Sequence, residues 1–354
     1  MSATPLEVTL QIQPRRRIEL IDVAQRLREE CGDLLDRHSK AIYCSYHTTA
    51  GYFDQAWCSR LQFSRDRLQN FLGLFEKLYP AGANYFHDKL HLRNELTEKQ
   101  KETEPLNADS HLTFISSGLR NCVTYVHKPE DPVFFVDLDG VYQDQRRTRQ
   151  TTVVGFDHEE PVESLEFDVA VSAHPIDSVN LSESRRGLFD ELEALRARHS
   201  VEKGRIDISL AETEQHAGLT VNEYETLLMQ RDVAEVLRDP LRFMAQKGKH
   251  ALQDPLAIPN KTLSYAKYDL VQVVNEVMDV LGVSESFIER LLARVVALPA
   301  SRFFRLRRSI SLLISDQGGS ASIQQGTYQS PVLLQWRKAD THTRRLRATL
   351  MRFE

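Results

Sequence analysis

Cysteine, tryptophan and long apolar runs are all scarce in this chain. Its 354 residues carry four cysteines (Cys31, Cys44, Cys58 and Cys122), all in the first half and none in C-x-x-C spacing. That excludes a disulfide framework or a zinc ribbon and leads to the expectation of reduced thiols in a cytoplasmic protein. No apolar run approaches the roughly 20 residues that cross a bilayer, so no membrane partner is expected. The opening MSATPLEVTLQIQPRRR lacks the basic-then-apolar order of a signal segment. A basic excess is missing too. With 45 Lys and Arg against 50 Asp and Glu the formal net charge is −5, which argues against a nucleic-acid partner. What remains, 41% apolar and 27% charged, is the composition of a globular protein long enough for two domains.

An internal repeat runs through that length. Residues 6–13, LEVTLQIQ, alternate as a half-buried strand, and 18–36, IELIDVAQRLREECGDLLD, show helical spacing. KAIYCSYHTTAG then reads as a strand running into an Ala-Gly turn. From residue 165 the order returns: LEFDVAVSA alternates, ESRRGLFDELEALRARHS is helical, and GRIDISLAETEQHAG is a strand with an Ala-Gly turn. Both halves close alike, Pro132-Val133-Phe134-Phe135 aligning with Pro331-Val332-Leu333-Leu334. The reading is a tandem duplication with domains at 1–158 and 164–354, joined near DHEEPVES. Residues 259–297 are an extra, helical stretch in the second copy. There Gly282 suits a helix C-terminus and Ser286 with Glu289 a capping box, and a structural cover over a sheet is its expected role.

The two Ala-Gly turns differ informatively. His47-Thr48-Thr49-Ala50-Gly51 stands in the first, whereas Glu214 takes the histidine position in the second. The first half goes on to Tyr85-Phe86-His87, Asn107-Ala108-Asp109-Ser110-His111-Leu112, and Asp137, Asp139 and Gly140 followed by Arg146 and Arg147. The second half keeps Asn222-Glu223 and Gly326-Thr327-Tyr328-Gln329. In these motifs each half resembles the YjbQ-like family, described as secondary thiamine-phosphate synthase enzymes, where H-T-T-A-G, N-E, Y-x-H, N-x-D-x-H-L and G-T-W-Q-G occur together. The first half lacks N-E and G-T-W-Q-G. The second lacks the histidines and carries Tyr328 where the family has Trp. The resemblance implies an α+β fold, each domain a largely antiparallel sheet or sandwich with packed helices, associating as a trimer or a pseudo-symmetric ring of two-domain chains.

Three imidazoles from separate segments, His47, His87 and His111, suit an open site for a divalent metal such as zinc, which would activate water and polarise a phosphoryl oxygen. Each is equally at home as a hydrogen-bonded structural histidine. Asp109 fits a positioning or general-base role, or a cap for the segment that follows it. Thr48, Thr49 and Asn107 are placed as substrate donors, and Arg146 and Arg147 as a guanidinium pair for phosphate, with strand-end and solvated-face roles as the alternatives. The Arg302, Arg305, Arg307 and Arg308 cluster of the second half is expected to serve solubility or a subunit contact. If the copies have specialised, the histidines of one should face Asn222, Glu223 and Gln329 of the other. Glu223 would then be base or ligand, and Gln329 would orient the substrate. The expected protein is a metal-associated, YjbQ-like enzyme acting on a small phosphorylated molecule, with thiamine-phosphate synthesis as the specific form. A metal-dependent phosphoester hydrolase and a non-catalytic ligand-binding scaffold are the alternatives.

Overall fold

The computed structural model describes every residue except 1–3, 94–95, 184–186, 224–226, 239–305 and 318. The expected helical stretch 259–297, and Arg302 and Arg305, therefore lie outside the described residues. The architecture is α+β with antiparallel strand pairing throughout the described sheets.

The first half runs β1 (Leu6–Ile12), β2 (Glu19–Asp22), α1 (Val23–Cys31), β3 (Lys40–Ser45), β4 (Ala50–Tyr52), α2 (Gln55–Arg60), α3 (Arg65–Leu78), α4 (Glu98–Thr103) and α5 (Ala108–Ser117). It ends on β5 (Cys122–Val126), β6 (Phe134–Asp137), the hairpin β7 (Val141–Tyr142) and β8 (Gln145–Arg146), and β9 (Arg149–Phe156). The second half runs β10 (Glu159–Ala170), β11 (Asp177–Asn180), α6 (Leu188–Arg198), β12 (Gly204–Leu210), β13 (Ala217–Asn222) and α7 (Leu227–Arg238). β14 (Ser309–Ser315), β15 (Ser322–Ile323), β16 (Ser330–Gln335) and β17 (Thr343–Phe353) complete it.

Two sheets of the first half have the orders β1-β9-β3-β5 and β2-β6-β4. Two of the second have β10-β17-β12-β14, extended by β15, and β11-β16-β13. Position for position the orders agree. So does the register: Ala50 pairs with Asp137 on β6, and Ala217 pairs with Gln335 on β16.

Local sequence chemistry explains the boundaries. The helix expected from residue 18 begins only at Val23, because Glu19–Asp22 pair instead with Phe134–Asp137 of β6. Asp22 then caps α1, its carboxylate accepting the Gln25 N–H at 3.1 Å. Gly32, at φ +68°, ends that helix, a conformation glycine adopts at little cost. The stretch read as a joint between the halves enters β10 at Glu159, with a bulge between Pro161 and Glu163.

By contact density the chain forms two compact units. Residues 1–57, 118–224 and 306–354 make the first, which holds all four principal sheets. The described residues within 58–117 and 227–238 make the second, to which α3, α4, α5 and α7 belong.

Within the first unit a large apolar core unites α6 with the second half's sheets, through Leu192, Ile206, Leu219, Leu333 and Leu346. A smaller cluster of Ile42, Cys44, Cys122, Val154 and Phe156 packs with Leu313 and Phe353. There the rings of Phe156 and Phe353, the last residues of β9 and β17, stack at 4.0 Å with an interplanar angle of 4°. In the second unit α3 buries Leu68, Phe71, Leu72 and Phe75 along one face, and all ten residues of α5 are buried. No described helix is long and apolar enough to cross a membrane.

Candidate functional site

In the first unit the H-T-T segment leaves the end of β3. The Ser45 hydroxyl donates to the Ala50 carbonyl at 2.7 Å and accepts the His47 N–H at 3.3 Å, which folds the segment into a tight bend. Carboxamides from the second half then hold its carbonyls. Gln329 donates from Nε2 to Ser45 O at 3.0 Å and to His47 O at 2.9 Å, while Asn222 Nδ2 donates to Thr48 O at 2.9 Å. The Gly-Thr-Tyr-Gln turn is shaped for this contact. Gln329 Oε1 accepts the Gly326 N–H at 3.1 Å, and a Cβ at Gly326 would lie 1.8 Å from the Tyr46 carbonyl oxygen. Tyr328, in contrast, is 60% exposed. Asn222 and Gln329 thus meet the backbone of the histidine segment.

His47 accepts the Gln150 N–H on Nε2 at 2.8 Å, so the proton of the neutral ring sits on Nδ1, which is a donor. Burial, reinforced by the Arg149 and Arg147 guanidiniums, lowers its pKa to about 3. It is a neutral hydrogen-bond acceptor over the whole physiological range.

Behind it lies an ion pair that the motifs did not reveal. Arg149 Nε and Nη2 donate to Asp137 Oδ2 and Oδ1 at 2.7 and 2.9 Å, and Nη2 also reaches Asp139 O and Thr49 Oγ1. Burial pushes the Asp137 carboxyl up, against the lowering influence of Arg149. Thr49 is therefore buried in this pair's surroundings, and Thr48 lends its carbonyl to Asn222. Arg147 spends a guanidinium nitrogen on Asp139 Oδ2 at 3.0 Å, whereas Arg146 sits exposed on the β7–β8 hairpin.

The second half repeats this framework with other side chains. Glu214 accepts the Arg345 N–H at 2.9 Å, as His47 accepts that of Gln150. Arg344 stands where Arg149 stands, donating to Gln335 at 3.2 Å and to the Arg337 carbonyl. The Trp336 N–H meets His216 O at 3.0 Å, as the Leu138 N–H meets Thr49 O at 3.0 Å.

In the second unit His87 and His111 come together. Their ring centroids are 5.0 Å apart, one ring nitrogen of each lies within 4.8 Å of the other's, and both residues are 1% exposed. His111 sits one turn into α5, where Asn107 O accepts its N–H at 3.2 Å. Asp109 therefore lies inside the first turn and Asn107 holds the capping position.

The Tyr-Phe-His turn is fixed by two carboxylates that sequence reading passed over. Asp232 on α7, fully buried, accepts the Phe86 and His87 N–H groups at 3.0 and 2.8 Å. Asp88 Oδ1 accepts from His87 Nδ1 at 3.1 Å and from the Ala108 N–H at 3.0 Å, tying the turn to the start of α5. A carboxylate can only accept, so the His87 proton sits on Nδ1 and the lone pair on Nε2. Burial raises the Tyr85 phenol well above its usual range, helped by the negative charges of Asp109, Asp88 and Asp232 around it. Glu223, whose N–H donates to Asn222 Oδ1 at 2.8 Å, belongs to the first unit.

No family model and no curated protein matches the sequence. Among solved structures, a YbjQ-like protein of unknown function from Sulfolobus solfataricus P2 is similar at 13% identity and a TM-score of 0.29, covering 55% of this chain and 99% of its own. A hypothetical protein from Aeropyrum pernix K1 is similar at 14% identity and a TM-score of 0.28, with 53% and 98% covered. An uncharacterised conserved protein of the YjbQ family from Clostridium acetobutylicum is similar at 12% identity and a TM-score of 0.27, with 52% and 98% covered.

Proposed function

We propose that this chain is a tandemly duplicated YjbQ-like protein whose second unit carries a divalent-metal centre on His87 and His111 and acts on a small phosphorylated substrate. The observation that carries the proposal is the buried His87–His111 pair, with His87 oriented from behind by Asp88. The duplication is supported by the matching strand orders of the two halves and by the equivalent hydrogen bonds of His47 and Glu214.

The residues fit a metal of the zinc type. Imidazole is a ligand it favours, and a carboxylate on the far nitrogen is the usual partner of a metal-bound histidine. His87 would ligate through Nε2, its tautomer set by Asp88. Asp109, on the same helix two residues before His111, is the proposed base or ligand-orienting carboxylate. A bound metal would supply Lewis acidity toward a phosphoryl oxygen and an acidified water. The chain's own contribution is to hold the His87 ring through Asp88, to fix its turn through Asp232 and against the start of α5 through Asp88, and to exclude bulk water by burying α5.

The specific form is the joining of a pyrimidine diphosphate to a thiazole phosphate with release of pyrophosphate, which rests on the motifs alone. Incubating the protein with these two precursors, with and without a chelator, tests it. Metal-dependent pyrophosphate release that His87→Ala abolishes is expected. Phosphate release from generic phosphoesters without pyrophosphate would favour the hydrolase. A ligand-binding scaffold is a second reading, favoured by His47, whose low pKa and backbone partner remove it from acid–base work. Metal-free protein with no turnover of either substrate class would select it.

A further inference from the structure

The second half's counterpart of the histidine segment opens onto a polar cavity of about 390 Å³ in the first unit. Its lining includes Glu214, His216, Arg337, Lys338, Asp340 and Arg344. We infer that this cavity is a separate binding site for a small, hydroxylated phosphate monoester, held by Arg337, Lys338 and His216.

The floor of the cavity is rigid. Arg344, only 6% exposed, donates to Glu214 Oε2 at 2.8 Å, to Gln215 O at 2.9 Å, to Gln335 Oε1 at 3.2 Å and to the Arg337 carbonyl. One guanidinium thereby ties Glu214 and Gln215 to Arg337 and pairs with the Glu214 carboxylate. The charges left at the cavity are Arg337 and Lys338 against Asp340 alone, an excess of cation.

His216 is oriented as well. It is held at φ +58°, a left-handed conformation uncommon for a residue with a side chain and one that accumulates at ligand sites. Its Nε2 lies 3.3 Å from Arg337 Nη1. Guanidinium can only donate, so Nε2 accepts and the imidazole proton sits on Nδ1 as a further donor. A fork of guanidinium, an ammonium and an imidazole N–H match the charge and the acceptor-rich surface of a phosphate dianion. Asp340 and the hydroxyls of Thr213, Thr341 and Thr343, also in the lining, suit the hydroxyl groups of the body that carries it. At 390 Å³ the cavity has the size of a small-metabolite site. The corresponding place in the first half has His47 and Thr49 in place of Glu214 and His216, so it does not repeat this set of side chains.

Isothermal titration with ribose 5-phosphate, inorganic phosphate and unphosphorylated ribose tests this, using the full chain. Saturable binding of ribose 5-phosphate is expected, with ribose not binding. The doubly substituted Arg337→Ala/Lys338→Ala chain should bind at least ten-fold more weakly at an unchanged melting temperature, since both side chains are exposed. Arg337→Lys/Lys338→Arg should restore most of the affinity, and His87→Ala should leave it unaltered, which separates this site from the metal centre. Equal affinity in the double alanine variant, or saturable binding of neither phosphate probe to the wild type, would overturn the assignment.

Discussion

Gln329 donates to the main-chain carbonyl of Ser45 at 3.0 Å, across 284 residues of sequence. The same nitrogen reaches His47 O, and the same side chain closes its own turn on Gly326. A glutamine expected to orient substrate is therefore the strut that shapes the histidine segment.

Removing it should be costly. Gln329→Ala leaves the Ser45 and His47 carbonyls without this donor in a largely buried setting, and about 2–3 kcal/mol of stability should be lost. Gln329→Glu should lose at least as much, because a carboxylate cannot donate. Urea denaturation of the three proteins measures both. A glutamate variant as stable as the wild type would show that the amide donor is dispensable.

His47 makes stability depend on pH. Its folded pKa is depressed to about 3, so between there and the unfolded value near 6.5 the unfolded chain binds a proton that the folded chain refuses. Stability should therefore fall as pH drops through this window, by up to about 1.4 kcal/mol per pH unit from this group alone. His47→Gln, which has no such proton to take up, should flatten the profile between pH 6 and 4. Parallel wild-type and variant profiles would place the histidine in a more solvated setting than described.

The Asp137–Arg149 pair should behave as a buried ion pair. Asp137→Ala strands the guanidinium in the interior, a change that costs about 3–5 kcal/mol in comparable cases. The double variant Asp137→Ala/Arg149→Met removes both charges and should recover part of that loss. Thermal melts of the single and double variants read the difference directly.

Much of this framework was legible in the sequence. Alternation marked β1, β-branched and aromatic residues marked β3, and the Pro132-Val133-Phe134-Phe135 tract marked β6. The contrast between His47 and Glu214 marked two versions of one bend, and both do accept a backbone N–H from the neighbouring strand. The strand β2 was hidden, because Ile18, Ile21, Val23 and Ala24 also satisfy a helical period and only pairing with β6 decides between them.

Asp232 was hidden for a different reason. It lies 145 residues from His87, within a helical stretch that reads as an ordinary amphipathic surface, and only its burial against two backbone N–H groups reveals its role. Asp88 was available as the residue next to His87, and its adjacency was the one signal that could have been used. Arg149 stood two places beyond the Arg146–Arg147 pair, yet it is the arginine that carries the buried network.

Metal content decides the central claim most directly. Purified wild-type protein, reconstituted with zinc and dialysed, should retain about one metal ion per chain by inductively coupled plasma mass spectrometry. His87→Ala and His111→Ala should each retain almost none while keeping their far-ultraviolet circular dichroism, and His47→Gln should retain the wild-type amount. Stoichiometric metal in the His87 and His111 variants, or none in the wild type, would contradict the account.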